Sequence, residues 1–224
     1  ALNLTTTGAT NTAVGYNCMD ANTTGYNNVA LGYAALGANT TGVQNTALGF
    51  NCLYTQTGAN NNVAVGYAVL YENTTGTLNT GLGLNTLYNN TTGDGNVAVG
   101  YAALNAPTTT SYNTAIGYQA LTAATTNGNL TAVGAFALDA NTTGSGNQAF
   151  GYGALGANTT GGASTAVGYN ALNSITTNGG CTAVGYNALL LTTGENNTGV
   201  GKDALTANTT GAYNVAVGHS ALDA

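Results

Sequence analysis

A glycine recurs every 17 residues along the chain, directly after a short triplet such as Thr-Ala-Val or Val-Ala-Leu. Its positions are Gly15, Gly32, Gly49, Gly66, Gly83, Gly100, Gly117, Gly134, Gly151, Gly168, Gly185 and, after one 16-residue step, Gly201 and Gly218. A period this short and regular is typical of a solenoid, in which each repeat is one coil that contacts its neighbours. We therefore number the positions of each coil from this glycine as zero and expect a single repeat domain over residues 1–224.

Each coil position carries one kind of residue. Position −1 is apolar throughout, position −2 is Ala except at Gly81 and Gly199, and position −3 is mostly Thr or Val. These residue types predict a short strand over positions −3 to −1, which the glycine then turns through a positive φ. Positions +1 to +4, as in residues 33–36, predict a second short strand, and a polar return built on Asn-Thr-Thr-Gly completes the coil. The pattern predicts an all-β fold, a parallel β-solenoid (β-roll) of about thirteen 17-residue coils.

The residues at positions −1 and −2 predict how the strand is buried. Adjacent side chains on a strand point to opposite faces, and here both faces are apolar. A strand of this kind is expected to be buried on both sides. One interpretation assigns the large residues to the solenoid's own core and the Ala column to contact with a second chain, which makes the protein a homo-oligomer. The alternative is that each Ala faces a cramped corner of its own coil.

Two polar or aromatic columns predict ladders along the solenoid. Position −4 is Asn in ten coils, at Asn11, Asn28, Asn45, Asn62, Asn79, Asn96, Asn113, Asn147, Asn197 and Asn214. Asparagines stacked in register hydrogen-bond along their own column, so we predict a structural role for them. Tyr predominates at position +1, and we predict a stacking ladder there rather than a binding platform.

Composition excludes several partners. Only 4% of the residues are charged, the net charge is −6, and Lys202 is the one Lys or Arg. A phosphate backbone would be repelled, so we expect no nucleic-acid binding. No run of 18 apolar residues is present, and we expect no membrane insertion. We interpret Cys18, Cys52 and Cys181 as small apolar fillers rather than as disulfide partners.

No constellation of reactive residues indicates an enzyme. His219 is the only histidine, and the acidic residues lie in distant coils, at Asp20, Glu72, Asp94, Asp139, Glu195, Asp203 and Asp223. We therefore expect no catalytic, cofactor-binding or metal-binding residues and no cofactor. The acidic and basic residues near the 16-residue step, Glu195, Lys202 and Asp203, indicate a solvated ion pair or a partner contact.

The polar return contains repeated Asn-x-Thr sequons. They begin at Asn22, Asn39, Asn73, Asn90, Asn141, Asn158 and Asn208. In an exported protein they could carry glycans, but turn chemistry at a fixed coil position is the explanation that we favour. The chain also begins and ends at nearly the same phase of the coil, which favours end-to-end stacking into a filament or a segment of a longer array.

The repeat resembles a known motif. Residues 28–32, Asn-Val-Ala-Leu-Gly, and residues 96–100, Asn-Val-Ala-Val-Gly, resemble the repeat of trimeric autotransporter adhesin heads. The longer unit resembles repeats of bacterial surface proteins and phage tail-fibre proteins. This resemblance implies a left-handed β-roll, a lateral trimer, and an extracellular, cell-surface or virion-fibre location.

Three functions from different classes follow from these observations. The first is a structural or adhesive extracellular fibre protein that self-associates into a filament or an oligomeric shaft, including a phage tail-fibre receptor-binding shaft. The second is an ice-binding β-solenoid, which the adjacent Thr pairs of the return turn disfavour because they do not share a flat face. The third is a polysaccharide-degrading tailspike, which the scattered acidic residues disfavour.

Overall fold

The computed structural model describes residues 2–106, 109–126 and 128–223, and it contains one strand for each expected coil. The thirteen strands are parallel and form one sheet in chain order, so the fold is the β-solenoid that the period predicts. No helix is present among these residues. The strands are β1 (Thr12–Val14), β2 (Val29–Leu31), β3 (Thr46–Leu48), β4 (Val63–Tyr67), β5 (Thr80–Leu84), β6 (Val97–Val99), β7 (Thr114–Ile116), β8 (Thr131–Val133), β9 (Gln148–Phe150), β10 (Thr165–Val167), β11 (Thr182–Val184), β12 (Thr198–Val200) and β13 (Val215–Val217).

The chain divides into two compact units, Ala1–Tyr112 with β1–β6 and Asn113–Ala224 with β7–β13. Within each unit, every strand pairs with the next in register, so that equal coil positions lie side by side. The 16-residue step does not disturb this register, since Thr182 still pairs with Thr198 and Val184 with Val200. The missing residue therefore comes out of the polar return.

The periodic glycine adopts the positive φ that the sequence predicts. At Gly32 φ is 136°, and its N–H donates to the carbonyl of Val14 in the preceding coil at 2.8 Å. A Cβ at this position would overlap the backbone of Gly49 in the next coil. Glycine is required here for both reasons, the backbone conformation and the close approach of neighbouring coils.

The second strand predicted at positions +1 to +4 is wrong. Only β4 and β5 extend past the glycine, and residues 33–36 form turns instead. Ala34 and Leu36 both have φ 51°, a left-handed conformation that breaks an extended chain. Because Ala34, Ala35 and Leu36 are all buried, a strand could not hold them, since it would send alternate side chains outward.

The assignment of the two strand faces is also wrong, and the alternative interpretation holds. Ala30 and Ala64 are fully buried inside their own coils, whereas Leu31 is 50% exposed. The Ala column cannot bind a second chain, because it already packs on the interior Leu column at position +4. The apolar residues at position −1 point outward together with those at position −3. We call these two columns the outer face.

A size exchange in the core shows how tightly the Ala column is packed. Gly81 occupies an Ala position, and a Cβ there would lie 2.5 Å from Val69 Cγ1. Position +3, where Val69 lies, is more often Ala, as at Ala35 and Ala103. The extra volume of Val69 thus occupies the space that Gly81 leaves free.

We expect Gly81→Ala to destabilise unit 1 by about 1–3 kcal/mol through overpacking. Val69→Ala alone should also destabilise, because it leaves a cavity. The double variant restores the Ala–Ala pairing of other coils and should be more stable than additivity of the two single effects allows. Urea unfolding of the four proteins measures this coupling. Strict additivity would contradict the proposed size exchange.

Candidate functional site

The Asn column at position −4 forms the ladder that the sequence predicts. In unit 1, the backbone N–H of Asn45 donates to Asn28 Oδ1 at 2.9 Å and that of Asn62 to Asn45 Oδ1 at 3.0 Å. Each Asn Nδ2 also donates across the coil, as Asn45 does to the carbonyl of Ala59 at 2.9 Å. These asparagines are buried and bonded, so their role is structural.

Three residues of unit 2 replace Asn at this position, namely Leu130, Ser164 and Cys181. Ser164 Oγ accepts the N–H of Cys181 at 3.3 Å, and Cys181 Sγ accepts the N–H of Asn197 at 3.4 Å. Cys181 is therefore more than an apolar filler, because it continues the hydrogen-bonded column. The signal in the sequence is its position, four residues before Gly185.

The three cysteines are free and buried. Burial raises the pKa of each thiol, and the effect outweighs the backbone hydrogen bonds that lower it. The thiols therefore stay protonated at neutral pH and are poor nucleophiles.

The sequon asparagines of the return turn point inward. Asn39 is fully buried, and its Nδ2 donates to Asn22 Oδ1 at 3.0 Å and to the carbonyl of Gly42 at 3.2 Å. Asn141 and Asn158 repeat this arrangement in unit 2, with an Nδ2 to Oδ1 distance of 2.7 Å. Glycosylation would require this nitrogen to leave the interior, so turn chemistry is the better explanation of the sequons.

The outer face is an exposed, unpartnered apolar surface in each unit. Exposed members in unit 1 are Val14, Val29, Leu31, Val63, Leu82 and Val97, and in unit 2 Ile116, Phe150, Val167, Val184, Val215 and Val217. No charged residue occurs in any of the thirteen strands. Exposed apolar side chains arranged in columns mark interaction surfaces, whereas singly scattered ones do not.

Aromatic residues stack along the side of the solenoid that follows the glycine. In unit 1, the rings of Tyr33 and Phe50 stack at 5.1 Å, and those of Phe50 and Tyr67 at 5.0 Å. A second ladder runs at position +5, with Tyr54 stacked on Tyr71 at 5.2 Å and Tyr71 on Tyr88 at 5.0 Å. The predicted ladder is therefore confirmed at position +1, and the ladder at +5 was not predicted.

A groove with a volume of about 740 Å³ lies between these two ladders in unit 1. Its lining includes Tyr33 and Phe50 of the ladder at +1, Tyr54 and Tyr71 of the ladder at +5, and Asp20. Burial raises the pKa of the Tyr71 hydroxyl, with smaller contributions from the adjacent tyrosines and Glu72. That hydroxyl therefore remains a hydrogen-bond donor at neutral pH.

The charged residues do not come together into a reactive site within the part of the chain that the structure describes. Lys202 Nζ lies 3.4 Å from Asp203 Oδ2, an exposed ion pair of small energetic value. No three His, Cys, Asp or Glu side chains among the described residues are arranged to hold a metal ion. Asp139 in unit 2 is half-buried, and burial raises the pKa of its carboxyl.

Comparisons with protein families, curated proteins and solved structures gave no match to this chain. No helix among the described residues is long and apolar enough to cross a membrane. The assignment of the parallel β-solenoid fold therefore rests on the sequence repeat and on the strand pairing of this chain.

Proposed function

We propose that this protein is a structural fibre protein of an extracellular, cell-surface or virion assembly, and that its chains self-associate side by side through the outer face. The observation that supports the proposal is the exposure of an apolar residue at position −1 in strand after strand. In unit 1, Val14 is 55% and Leu31 50% exposed. Burying such a side chain completely contributes about 1.5–3 kcal/mol, so a column of them favours association.

The composition of the outer face fits a protein–protein contact. Its columns at positions −3 and −1 contain Thr, Val, Leu, Ile, Phe and one Gln, and all charged residues lie elsewhere in the coil. Depletion of charge at the centre of a contact is typical of protein–protein interfaces. The resemblance to the repeats of trimeric adhesin heads points to the same mode of assembly, with the outer face in place of the Ala column.

Sedimentation of the purified protein at micromolar concentration tests this proposal. We expect oligomers, and we expect the double variant Leu31→Lys and Leu82→Lys to sediment as a monomer with an unchanged far-UV circular dichroism spectrum. The control carries the same two charges at exposed positions of the return turn, Thr24→Lys and Thr75→Lys, and should stay oligomeric. A wild-type protein that remains monomeric at every concentration would contradict the proposal.

One observation favours ice binding as a second candidate. The outer face carries Thr at −3 and a β-branched residue at −1 on the same surface in five strands of unit 2, as in Thr165 and Val167. Regular hydroxyl and methyl groups on a charge-free sheet surface can order water in a lattice. Monomeric protein with thermal hysteresis that Thr165→Lys abolishes would support this candidate. Hysteresis unchanged by that variant, or none, would exclude it.

A further inference from the structure

The +5 column of unit 1 has an empty place in its aromatic ladder. The column runs from Asp20 through Gly37 to Tyr54, Tyr71 and Tyr88. The backbones stay in register here, since Ala38 N–H donates to the Tyr54 carbonyl at 3.2 Å. Gly37 has no side chain, so the Tyr54 ring has a stacking neighbour on the Tyr71 side alone.

The spacing of the coils leaves room for one six-membered ring at this gap. Asp20 and Tyr54 are two coil steps apart, about 10 Å, which leaves room for one group between them. A Cβ at Gly37 would lie 3.1 Å from Ala34 O and 3.3 and 3.4 Å from Tyr54 Cε2 and Cδ2, so the Tyr54 ring approaches Gly37 closely and forms one wall of the gap. A flat ligand at the place of the missing side chain would continue the stack with the spacing of Tyr54 and Tyr71.

The groups around the gap combine one aromatic face with several polar atoms. Asp20 offers a carboxylate, and Asn17 and Asn51 offer amides. The Thr55 hydroxyl donates to the carbonyl of Tyr71 at 2.7 Å, so it can serve a ligand only as an acceptor. Asn51 Oδ1 is buried and has no hydrogen-bond partner among the described residues, a property that Asn85 Oδ1 shares at the same coil position. Ring stacking with a few convergent polar groups is the composition of a small-molecule site rather than of a packed wall.

This arrangement favours a neutral polyol ring over a cation. An aromatic cage for a quaternary ammonium needs several ring faces, because the face of an aromatic ring is negative and its edge positive. Here the faces of Tyr33 and Phe50 are covered by their stacked neighbours, whereas Tyr54 is stacked on the Tyr71 side only. The C–H face of a pyranose would stack on Tyr54, while its hydroxyls donate to Asp20 in charge-assisted hydrogen bonds.

We propose that the groove around Gly37 is a carbohydrate-binding site that takes one neutral pyranose ring, stacked on Tyr54 and hydrogen-bonded to Asp20. The site lies on a different surface from the outer face, so it does not depend on the proposed self-association. A single ring of this kind is expected to bind with a Kd of about 1–10 mM, corresponding to roughly 3–4 kcal/mol.

Unit 2 supplies an internal comparison. Gly156 is also a glycine at position +5, next to a groove of about 330 Å³ lined by Asp139 and Asn173. Here Asn173 takes the place that Tyr54 has in unit 1, so the +5 column offers no aromatic ring beside Gly156. Phe136 and Tyr152 also line this groove, but they do not belong to the +5 column. We expect no sugar binding in this groove.

The test is saturation-transfer NMR of the full chain with methyl β-glucopyranoside, methyl β-galactopyranoside and methyl α-mannopyranoside at 20 mM. We expect saturation of the ring C–H protons of at least one glycoside. Gly37→Tyr should abolish the signal, because the new ring fills the gap and extends the ladder, while Gly156→Tyr should leave it unchanged. Asp20→Ala, which adds no volume, should weaken binding at least tenfold.

Three results would overturn the proposal. They are no saturation of any of the three glycosides, saturation that persists in Gly37→Tyr, and displacement of the glycoside by tetramethylammonium at lower concentration, which would indicate a cation site. If Gly37→Tyr does not fold, Asp20→Ala decides the question, and undiminished binding in that variant counts against the site.

Discussion

Gly66→Ala is expected to destabilise unit 1 by about 2–6 kcal/mol. The residue has φ 139°, a conformation that a side chain disfavours at a cost of about 1–3 kcal/mol. A Cβ would in addition overlap the carbonyl oxygen of Gly83 in the next coil, and overpacking of this kind costs about 1–3 kcal/mol more. The midpoint of urea unfolding measures the loss.

Gly146→Ala is the matched control for this variant. Gly146 also has a positive φ, 68°, but the nearest atom to a Cβ there is Ala163 N at 3.9 Å. Only the conformational penalty applies, about 1 kcal/mol. Equal losses in the two variants would show that the approach of neighbouring coils does not require glycine at position zero.

Asn62→Ala is expected to cost about 2–6 kcal/mol, because it orphans polar groups inside unit 1. Asn62 Oδ1 accepts the N–H of Asn79 at 2.9 Å, and Nδ2 donates to the carbonyl of Gly76 at 2.8 Å. Each buried group that loses its partner costs about 1–3 kcal/mol, which exceeds the net value of the hydrogen bond itself. Chemical denaturation again provides the measurement.

Thr75→Ala serves as the comparison for this loss. Thr75 is exposed on the return turn, and no hydrogen bond joins its hydroxyl to a described residue. Its removal should change the unfolding free energy by less than about 0.5 kcal/mol. If Asn62→Ala and Thr75→Ala had the same free energy of unfolding, water would replace the hydrogen bonds of Asn62 without loss of stability, which would contradict the prediction.

The period and the residue types predicted the fold correctly, because both are direct consequences of stacking one coil on the next. Position −4 predicted the Asn ladder, since a buried amide column has few other uses. Alternation along the strand predicted that Ala30 and Leu31 face opposite ways, but it does not say which face is inside. The interior is so narrow that only a residue as small as Ala fits opposite the Leu at position +4. Side-chain volume, rather than hydrophobicity, therefore determines which face of the strand points inward.

The other errors have local causes. Leu36 adopts a left-handed backbone conformation, which is unfavourable for a residue with a side chain. The sequence therefore predicted a strand at this position rather than a turn. The hydrogen bonds between coils offset this penalty, as in Leu36 N–H to the Cys52 carbonyl at 3.0 Å. The groove at Gly37 could not be predicted from one coil, because it arises from three successive residues of one column.

The 16-residue step has a consequence for how such chains diversify. The return turn loses a residue between Gly185 and Gly201 while Thr182 and Thr198 stay paired, so the turn absorbs the change. Loops of this kind tolerate insertions at small entropic cost. Foreign peptides grafted into the return turn should therefore be displayed at regular intervals without altering the scaffold, and natural variants should differ in length at that point rather than in the strands.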